Sequence, residues 1–255
     1  MRPELFAKAL EELRGLNYRG RIEFYIYNEP AKDIPHLLQC IQQARATVPR
    51  SCLMVASNGD YLRGPENIMR MFDAGLNQLL INCYSPGLYA KRLPWLAALP
   101  GSISRDKSVY AVLGRKARTV QMLDKSKPEE FGAGVFRLVN RAGNITPFLP
   151  ALEQPVKRMC TKPFRIFNIN WRGQALLCCQ DYGAQLHVGN LADYTLAQLW
   201  NSPLMNTYRR NLLKKDRTLP LCRKCDCHAG AYPHNVPRPT GPYLSKETIE
   251  NRWLK

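Results

Sequence analysis

Cys52-Leu53-Met54-Val55-Ala56-Ser57-Asn58-Gly59 is a short apolar run that ends in a polar turn. An uninterrupted run of this length reads as a strand buried on both faces. Ahead of it, Asp33 can cap a helix whose apolar face carries Leu37, Leu38, Ile41 and Ala44, and Pro49 ends that helix. Further upstream, Ile22, Phe24 and Ile26 alternate as a strand, and Leu5, Phe6, Ala9, Leu10 and Leu13 recur at helical spacing behind Pro3. Downstream, Ile68, Met69 and Phe72 mark a helix that stops at Gly75, and Leu79-Leu80-Ile81 is the next buried strand. A helix-like stretch through Leu88 and Leu96, broken by Pro94, precedes a last strand at Val109-Tyr110-Ala111-Val112-Leu113. Strands recurring every ~25–30 residues with helices between them predict right-handed βαβ units and a parallel sheet. The fold class of the first half is α/β.

The chain of 255 residues is long enough for one or two domains, and its 45% hydrophobic content excludes a disordered polypeptide. No apolar run approaches the ~18–20 residues of a membrane span, and Met1-Arg2-Pro3-Glu4 begins no secretory leader, so a cytoplasmic location with no membrane partner is expected. A net charge of +17 admits nucleic acid as a partner. The basic residues are scattered, however, with short clusters only at Arg115-Lys116-Ala117-Arg118 and Lys214-Lys215-Asp216-Arg217, which is the pattern of a solvated surface. Nine cysteines, an odd number in a chain of this size, argue against a disulfide-stapled secreted domain and for reduced thiols.

The first domain is expected to span residues 1–145, and the texture changes at Cys160. Residues 119–159 are weakly patterned, with a possible strand at 135–139, and 146–159 reads as a linker. A cysteine-rich domain follows at 160–230 and an extended, proline-containing tail at 231–255. Asn170-Trp171-Arg172-Gly173 is the turn of a β-hairpin, and Thr195 and Ser202 are candidate caps of two short helices. Six of the nine cysteines lie in this half: Cys160, Cys178, Cys179, Cys222, Cys225 and Cys227. Cys222 and Cys225 form a C-x2-C pair, which sets two thiolates on one turn. Cys160 and Cys178 flank the hairpin. Four such thiolates suit either tetrahedral zinc or a [4Fe–4S] cube, and spacing does not choose between them. Cys40, Cys52 and Cys83 fall on presumed apolar faces and read as core residues. His36, His187 and His234 are isolated and read as surface residues. His228, beside Cys227, is at most a spare ligand.

These pieces resemble the radical S-adenosylmethionine (SAM) superfamily, in the form with a C-terminal SPASM domain shortened to the one-cluster "twitch" version. Cys160, then Gly173-Gln174-Ala175-Leu176-Leu177-Cys178, is similar to that family's cysteine followed by G-x4-C. Val188-Gly189-Asn190-Leu191 and Thr195-Leu196-Ala197-Gln198-Leu199-Trp200 resemble the stretch ahead of its last cysteines. The resemblance implies that Cys160, Cys178, Cys222 and Cys225 hold one auxiliary [4Fe–4S] cluster. In the first half, Asn28-Glu29-Pro30 resembles the family's G-E-P segment, with Asn28 in place of glycine, and Ser57-Asn58-Gly59 resembles its T-N-G turn. By that resemblance Asn28, Glu29, Pro30, Ser57, Asn58 and Asn82, at the ends of successive strands, bind SAM, with the Glu29 carboxylate receiving its amino group. The implied architecture is a partial (β/α) barrel lacking its first strand, followed by a small α+β SPASM/twitch domain.

The family's radical chemistry starts from a C-x3-C-x2-C loop after the first barrel strand, and no such triplet occurs in the sequence. Met1-Arg2-Pro3 opens directly onto the helix that would follow that loop. The expectation is a fragment, or a chain begun at an internal Met just past the loop, in preference to a degenerate protein; as written, it should not cleave SAM unaided. The functional expectation is a radical SAM/SPASM oxidoreductase or modification enzyme. Its substrate, whether peptide, protein or small molecule, is not specified by the sequence, and flavodoxin or ferredoxin is a possible reductant. The competing readings are a zinc-binding nucleic-acid module and a non-catalytic cluster-bearing partner.

Overall fold

The computed structural model describes residues 1–99, 102–105, 109–112, 118–126, 140–144 and 150–227. The strand expected at 135–139, the tail at 231–255, His228 and His234 lie outside them. The chain divides into two compact units, Leu13–Gly134 and Met1–Glu12 with Val135–Lys255.

The Leu13–Gly134 unit is built on six strands: β1 (Arg21–Glu23), β2 (Cys52–Ser57), β3 (Gln78–Cys83), β4 (Ser102–Arg105), β5 (Val109–Val112) and β6 (Thr119–Asp124). They form one sheet in the order β1-β2-β3-β6-β5-β4. The pairs β1–β2, β2–β3 and β3–β6 are parallel, so the α/β sheet with parallel strands is as expected. Two features differ from the sequence reading. Val109–Val112 runs antiparallel to both β4 and β6, and the fourth parallel strand is β6, in a stretch that reads as weakly patterned. Leu53, Val55, Ile81 and Val120 are fully shielded on these strands, and each such side chain contributes ~1.5–3 kcal/mol by burial.

Helix α2 (Ile34–Thr47) buries Leu37, Ile41 and Ala44, positions that share one face at a period of 3.6. Asp33 caps it, its carboxylate accepting the His36 N–H at 3.0 Å. Helix α3 (Pro65–Asp73) buries Ile68, Met71 and Phe72 and ends before Gly75, whose φ of 115° few other residues adopt. Helix α4 (Leu88–Ala97) contains Pro94 without ending there, contrary to the expected break. Below the sheet, Arg45 ties the N-terminal ends of β2 and β3. Its guanidinium donates to the carbonyls of Gly75, Pro49 and Ser51 and to Asn77 Oδ1, which itself accepts the Leu53 N–H.

The other unit holds a three-stranded antiparallel sheet, β7 (Asn168–Ile169), β8 (Gln174–Leu176) and β9 (His187–Asn190), with the hairpin turn where the sequence places it. Asn170 Oδ1 accepts the N–H groups of Arg172 and Gln174, and Gly173 takes a φ of 83°. Helices α5 (Lys162–Arg165), α6 (Leu196–Trp200), α7 (Pro203–Leu213) and α8 (Pro220–Arg223) surround it. Thr195 and Gln198 form a capping box on α6, and Ser202 caps α7. Arg209 of α7 is fully buried; it donates to the carbonyls of Pro163 and Trp200 and stacks 3.9 Å above the Trp200 ring. The start of helix α1 (Pro3–Gly15) belongs to this unit. Lys8 Nζ donates to the carbonyls of Leu191 (2.6 Å) and Tyr194 (3.2 Å), and Glu12 accepts the Leu196 N–H. No helix among the described residues is long and apolar enough to cross a membrane.

Candidate functional site

Five cysteines of the C-terminal half, Cys160, Cys178, Cys222, Cys225 and Cys227, line one cavity, together with Lys162 and Arg217. Cys160 comes from the segment before α5, Cys178 follows β8, and α8 with its exit turn brings Cys222, Cys225 and Cys227. Asn140 fixes that exit turn. Its side-chain N–H groups donate to the carbonyls of Pro150 and Lys224, its Oδ1 accepts the Asp226 N–H, and its own backbone N–H donates to the Asp226 carboxylate. The buried Asp181 carboxylate accepts the N–H groups of Gln185 and Leu186, which shapes the loop after Cys178.

Three of these sulfurs accept a backbone N–H from the residue two positions on: Cys160 from Lys162, Cys178 from Gln180, and Cys225 from Cys227 at 3.4 Å. Such bonds turn each Sγ toward a common interior and stabilise it as a thiolate, as outer-shell partners do for metal ligands. Among the described residues no group of three or more His, Cys, Asp or Glu side chains is arranged to hold a single ion. The five cysteines line one cavity together. An all-thiolate donor set of this kind fits an iron–sulfur cluster.

Electrostatics differ from one cysteine to the next. Burial pushes the Cys222 thiol up to about 12, with the neighbouring Cys160 adding to it. The buried Cys225 and Cys227 thiols share a hydrogen bond that raises Cys225 and lowers Cys227, and Lys162 and Arg217 lower Cys227 further. Burial alone would lower the Lys162 ammonium, but the sulfurs of Cys179, Cys227 and Cys178 push it up overall. Cys179 is half-buried, 3.8 Å from Lys162 Nζ, and is not part of the cavity wall.

In the Leu13–Gly134 unit Glu29, in the turn beyond β1, is brought to Ser57 and Asn58 at the end of β2, in an arrangement the sequence does not reveal. Glu29 Oε1 accepts the Ala31 N–H (2.9 Å) and the Ser57 hydroxyl (2.6 Å), and Oε2 accepts the Asn58 N–H (2.6 Å). Ser57 Oγ accepts in turn from Gly59 N–H at 2.9 Å. Three of the roughly four acceptor positions of the carboxylate are thus occupied by the protein, leaving about one for a ligand. Pro30 is buried and opens a short 3-10 turn at Pro30–Asp33; Asn28 is exposed beside it. Asn82 lies one residue beyond Ile81, the partner of Ser57 in the sheet. It is buried, and its Oδ1 has no hydrogen-bond partner among the described residues. The Glu29 carboxylate thus keeps one acceptor position beside the end of β2, and the Asn82 amide oxygen is an unsatisfied acceptor near the end of β3.

Among the other cysteines, Cys83 is fully buried, whereas Cys40 and Cys52 are only half-buried. Cys40 Sγ lies 3.6 Å from Nε2 of the exposed His36, so its expected core position is not what the fold provides. His187 is exposed, as anticipated. The residues that sequence reasoning missed at the cysteine cavity are Lys162 and Arg217. The sole hint of Lys162 was its place two residues after Cys160, and Arg217 was counted in a surface cluster.

Residues 160–226 match the SPASM family, an iron–sulfur cluster-binding domain. The S-adenosyl-L-methionine-dependent 2-deoxy-scyllo-inosamine dehydrogenase of Niallia circulans is 21% identical over 228 residues, covering 89% of this chain and 80% of that protein. The crystal structure of BtrN in complex with AdoMet and 2-DOIA superposes with a TM-score of 0.71 at 22% identity, over 89% of this chain and 80% of that one. That of SeMet BtrN in an open conformation gives a TM-score of 0.62 at 19% identity, with the same coverage. The chain thus carries a segment at residues 160–226 that matches the SPASM iron–sulfur cluster-binding domain, within a fold similar to that of BtrN.

Proposed function

We propose that this chain is the SAM-binding and auxiliary-cluster part of a radical SAM/SPASM oxidoreductase that oxidises a small polar molecule. The observation that carries the reading is the set of cysteines around one cavity, three of them with sulfurs held by backbone N–H groups. Cys160, Cys178, Cys222 and Cys225 would hold a [4Fe–4S] cluster. The Glu29 carboxylate would receive the amino group of SAM, and Asn82 Oδ1 a second donor of the same molecule. Ser57 and Asn58 keep the Glu29 carboxylate turned toward the strand ends, Pro30 sets the turn behind it, and Asn28 borders the opening. The parallel strands β1, β2, β3 and β6 would be the remaining part of a (β/α) barrel, whose sites gather at strand C-termini.

When bound, SAM and a reduced cluster supply hydrogen abstraction, and the auxiliary cluster an electron acceptor, so that a substrate C–H loses two electrons overall. The chain's own residues bind, orient and keep water from these groups. The sequence contains no C-x3-C-x2-C triplet, and no step that begins there follows from its residues. The small-molecule class rests on the similar dehydrogenase, whose name gives 2-deoxy-scyllo-inosamine as its substrate. A flavodoxin or ferredoxin would serve as electron donor.

Anaerobic reconstitution of the full chain tests the reading. Uptake of about four iron and four sulfide per chain, abolished by Cys160→Ala, is the expected result for one cube. One tightly held zinc with no iron uptake would overturn it, and binding to nucleic acid that weakens steeply with salt would then favour the zinc-module alternative.

A further inference from the structure

We infer that Lys162 and Arg217 are the charge-compensating pair of the cysteine cavity, two cations that face its cluster and raise its reduction potential; the inference rests on the iron–sulfur reading above. A cube held by four thiolates is anionic, and reduction adds one more negative charge. Buried negative charge is costly unless positive charge stands close to it. Both cations line the same cavity as the cysteines, and they arrive on different segments, one after Cys160 and one between α7 and α8.

Each cation is held at the cavity by its own contacts. Arg217 is 3% exposed, and its Nη1 donates to the Cys227 carbonyl at 3.2 Å. Its Nε is buried and has no hydrogen-bond partner among the described residues, so an N–H donor remains on a group that lines the cavity. Lys162 and Arg217 line the same cavity wall as Cys160, Cys178, Cys222 and Cys225. Two carboxylates near Cys222, Asp181 and Asp216, oppose this positive charge, though neither lines the cavity. Each already accepts two donors of its own loop, Asp181 from Gln185 and Leu186 and Asp216 from Thr218. Net charge and hydrogen bonds to the sulfurs are the levers by which a protein sets a cluster's potential. Positive charge favours the more anionic, reduced state.

The test is a redox titration, followed by electron paramagnetic resonance, of the anaerobically reconstituted full chain and its variants, with iron and sulfide counted in each. Lys162→Gln and Arg217→Gln should each shift the reduction equilibrium about tenfold toward the oxidised cluster, which is 59 mV for a one-electron couple. Lys162→Arg and Arg217→Lys, which keep the charge, should stay close to the parent protein. If both glutamine variants carry a full complement of iron and keep the parent potential, the inference is wrong. Iron lost in Arg217→Gln but kept in Arg217→Lys supports it; iron lost in both counts against it, because shape and not charge is then what Arg217 supplies. Lys162 is partly exposed, so its glutamine variant remains a test in every case. Failure of the parent chain to take up iron and sulfide would instead refute the iron–sulfur reading itself.

Discussion

Replacing Glu29 with alanine removes the acceptor for three donors at once: the Ala31 N–H, the Ser57 hydroxyl and the Asn58 N–H. Hydrogen bonds to a charged acceptor contribute ~1.5–3 kcal/mol each. Glu29 is half-buried, so water replaces part of what is lost and the sum must be discounted. Ser57 is 2% exposed, and its hydroxyl cannot be rehydrated without opening the turn. A net loss of about 2–4 kcal/mol follows, which lowers the melting temperature by about 5–15 °C. Glu29→Gln separates charge from shape. The amide oxygen can still serve Ala31 and Ser57, but the NH2 group then meets the Asn58 N–H, donor against donor, at a cost of about 1–2 kcal/mol. Thermal unfolding of the metal-free chain without SAM measures both variants. A Glu29→Ala protein within ~0.5 kcal/mol of the parent would refute the view that this carboxylate ties the turn at Pro30–Asp33 to the end of β2. SAM affinity, measured on the same proteins by calorimetry, should fall at least tenfold in Glu29→Ala, and Asn82→Ala should weaken binding without lowering the melting temperature as far.

Serine substitution at Cys160, Cys178, Cys222 or Cys225 should each reduce bound iron after reconstitution, whereas Cys179→Ser should leave it at about four per chain, by iron and sulfide assay. Asn140→Ala loses the three side-chain bonds that hold the Cys225 turn, to Pro150, Lys224 and Asp226, and should destabilise the chain by about 2–3 kcal/mol in urea titrations while slowing cluster assembly. Burial pushes the Cys83 thiol up to about 11. The native state therefore keeps that proton above the unfolded thiol's pKa of about 8.5, and this share of stability is complete below that pH and lost as pH rises through 11. Cys83→Ala should flatten the fall in unfolding free energy between pH 8 and 11.

The elements that can be read from the sequence are those whose pattern is local. The one-sided apolar faces of α2 and α3, the buried runs of β2 and β3, and the caps at Asp33, Thr195 and Ser202 depend on neighbours within a few residues. Strand β6 escapes notice because Thr119 and Gln121 interrupt its apolar residues, yet Gln121 is buried where β6 is flanked by β3 and β5. The direction of Val109–Val112 is not encoded in its composition. It runs antiparallel because β4 precedes it as a hairpin partner, and a count of strand spacing cannot register that. Pro94 lacks an N–H for Ala90, but the helix continues around it to Ala97. At the sites, residue types at fixed spacing identified the cysteines. The engagement of Glu29 with Ser57 and Asn58, and the presence of Arg217 beside Cys222, arise from chain segments that only folding brings together.

Helix α1 illustrates the same point in time. Lys8 reaches the carbonyl of Leu191, 183 residues along the chain, and Leu5 lies against Gly173. At 5–20 residues per second a ribosome needs roughly ten to forty seconds to make that partner after α1 is synthesised. The whole of Leu13–Gly134 can form in the interval. Throughout this wait Leu5 lacks its native neighbour Gly173, so the start of α1 is made early and seated late, and the nascent chain carries that apolar residue open to chaperones until the cysteine domain follows.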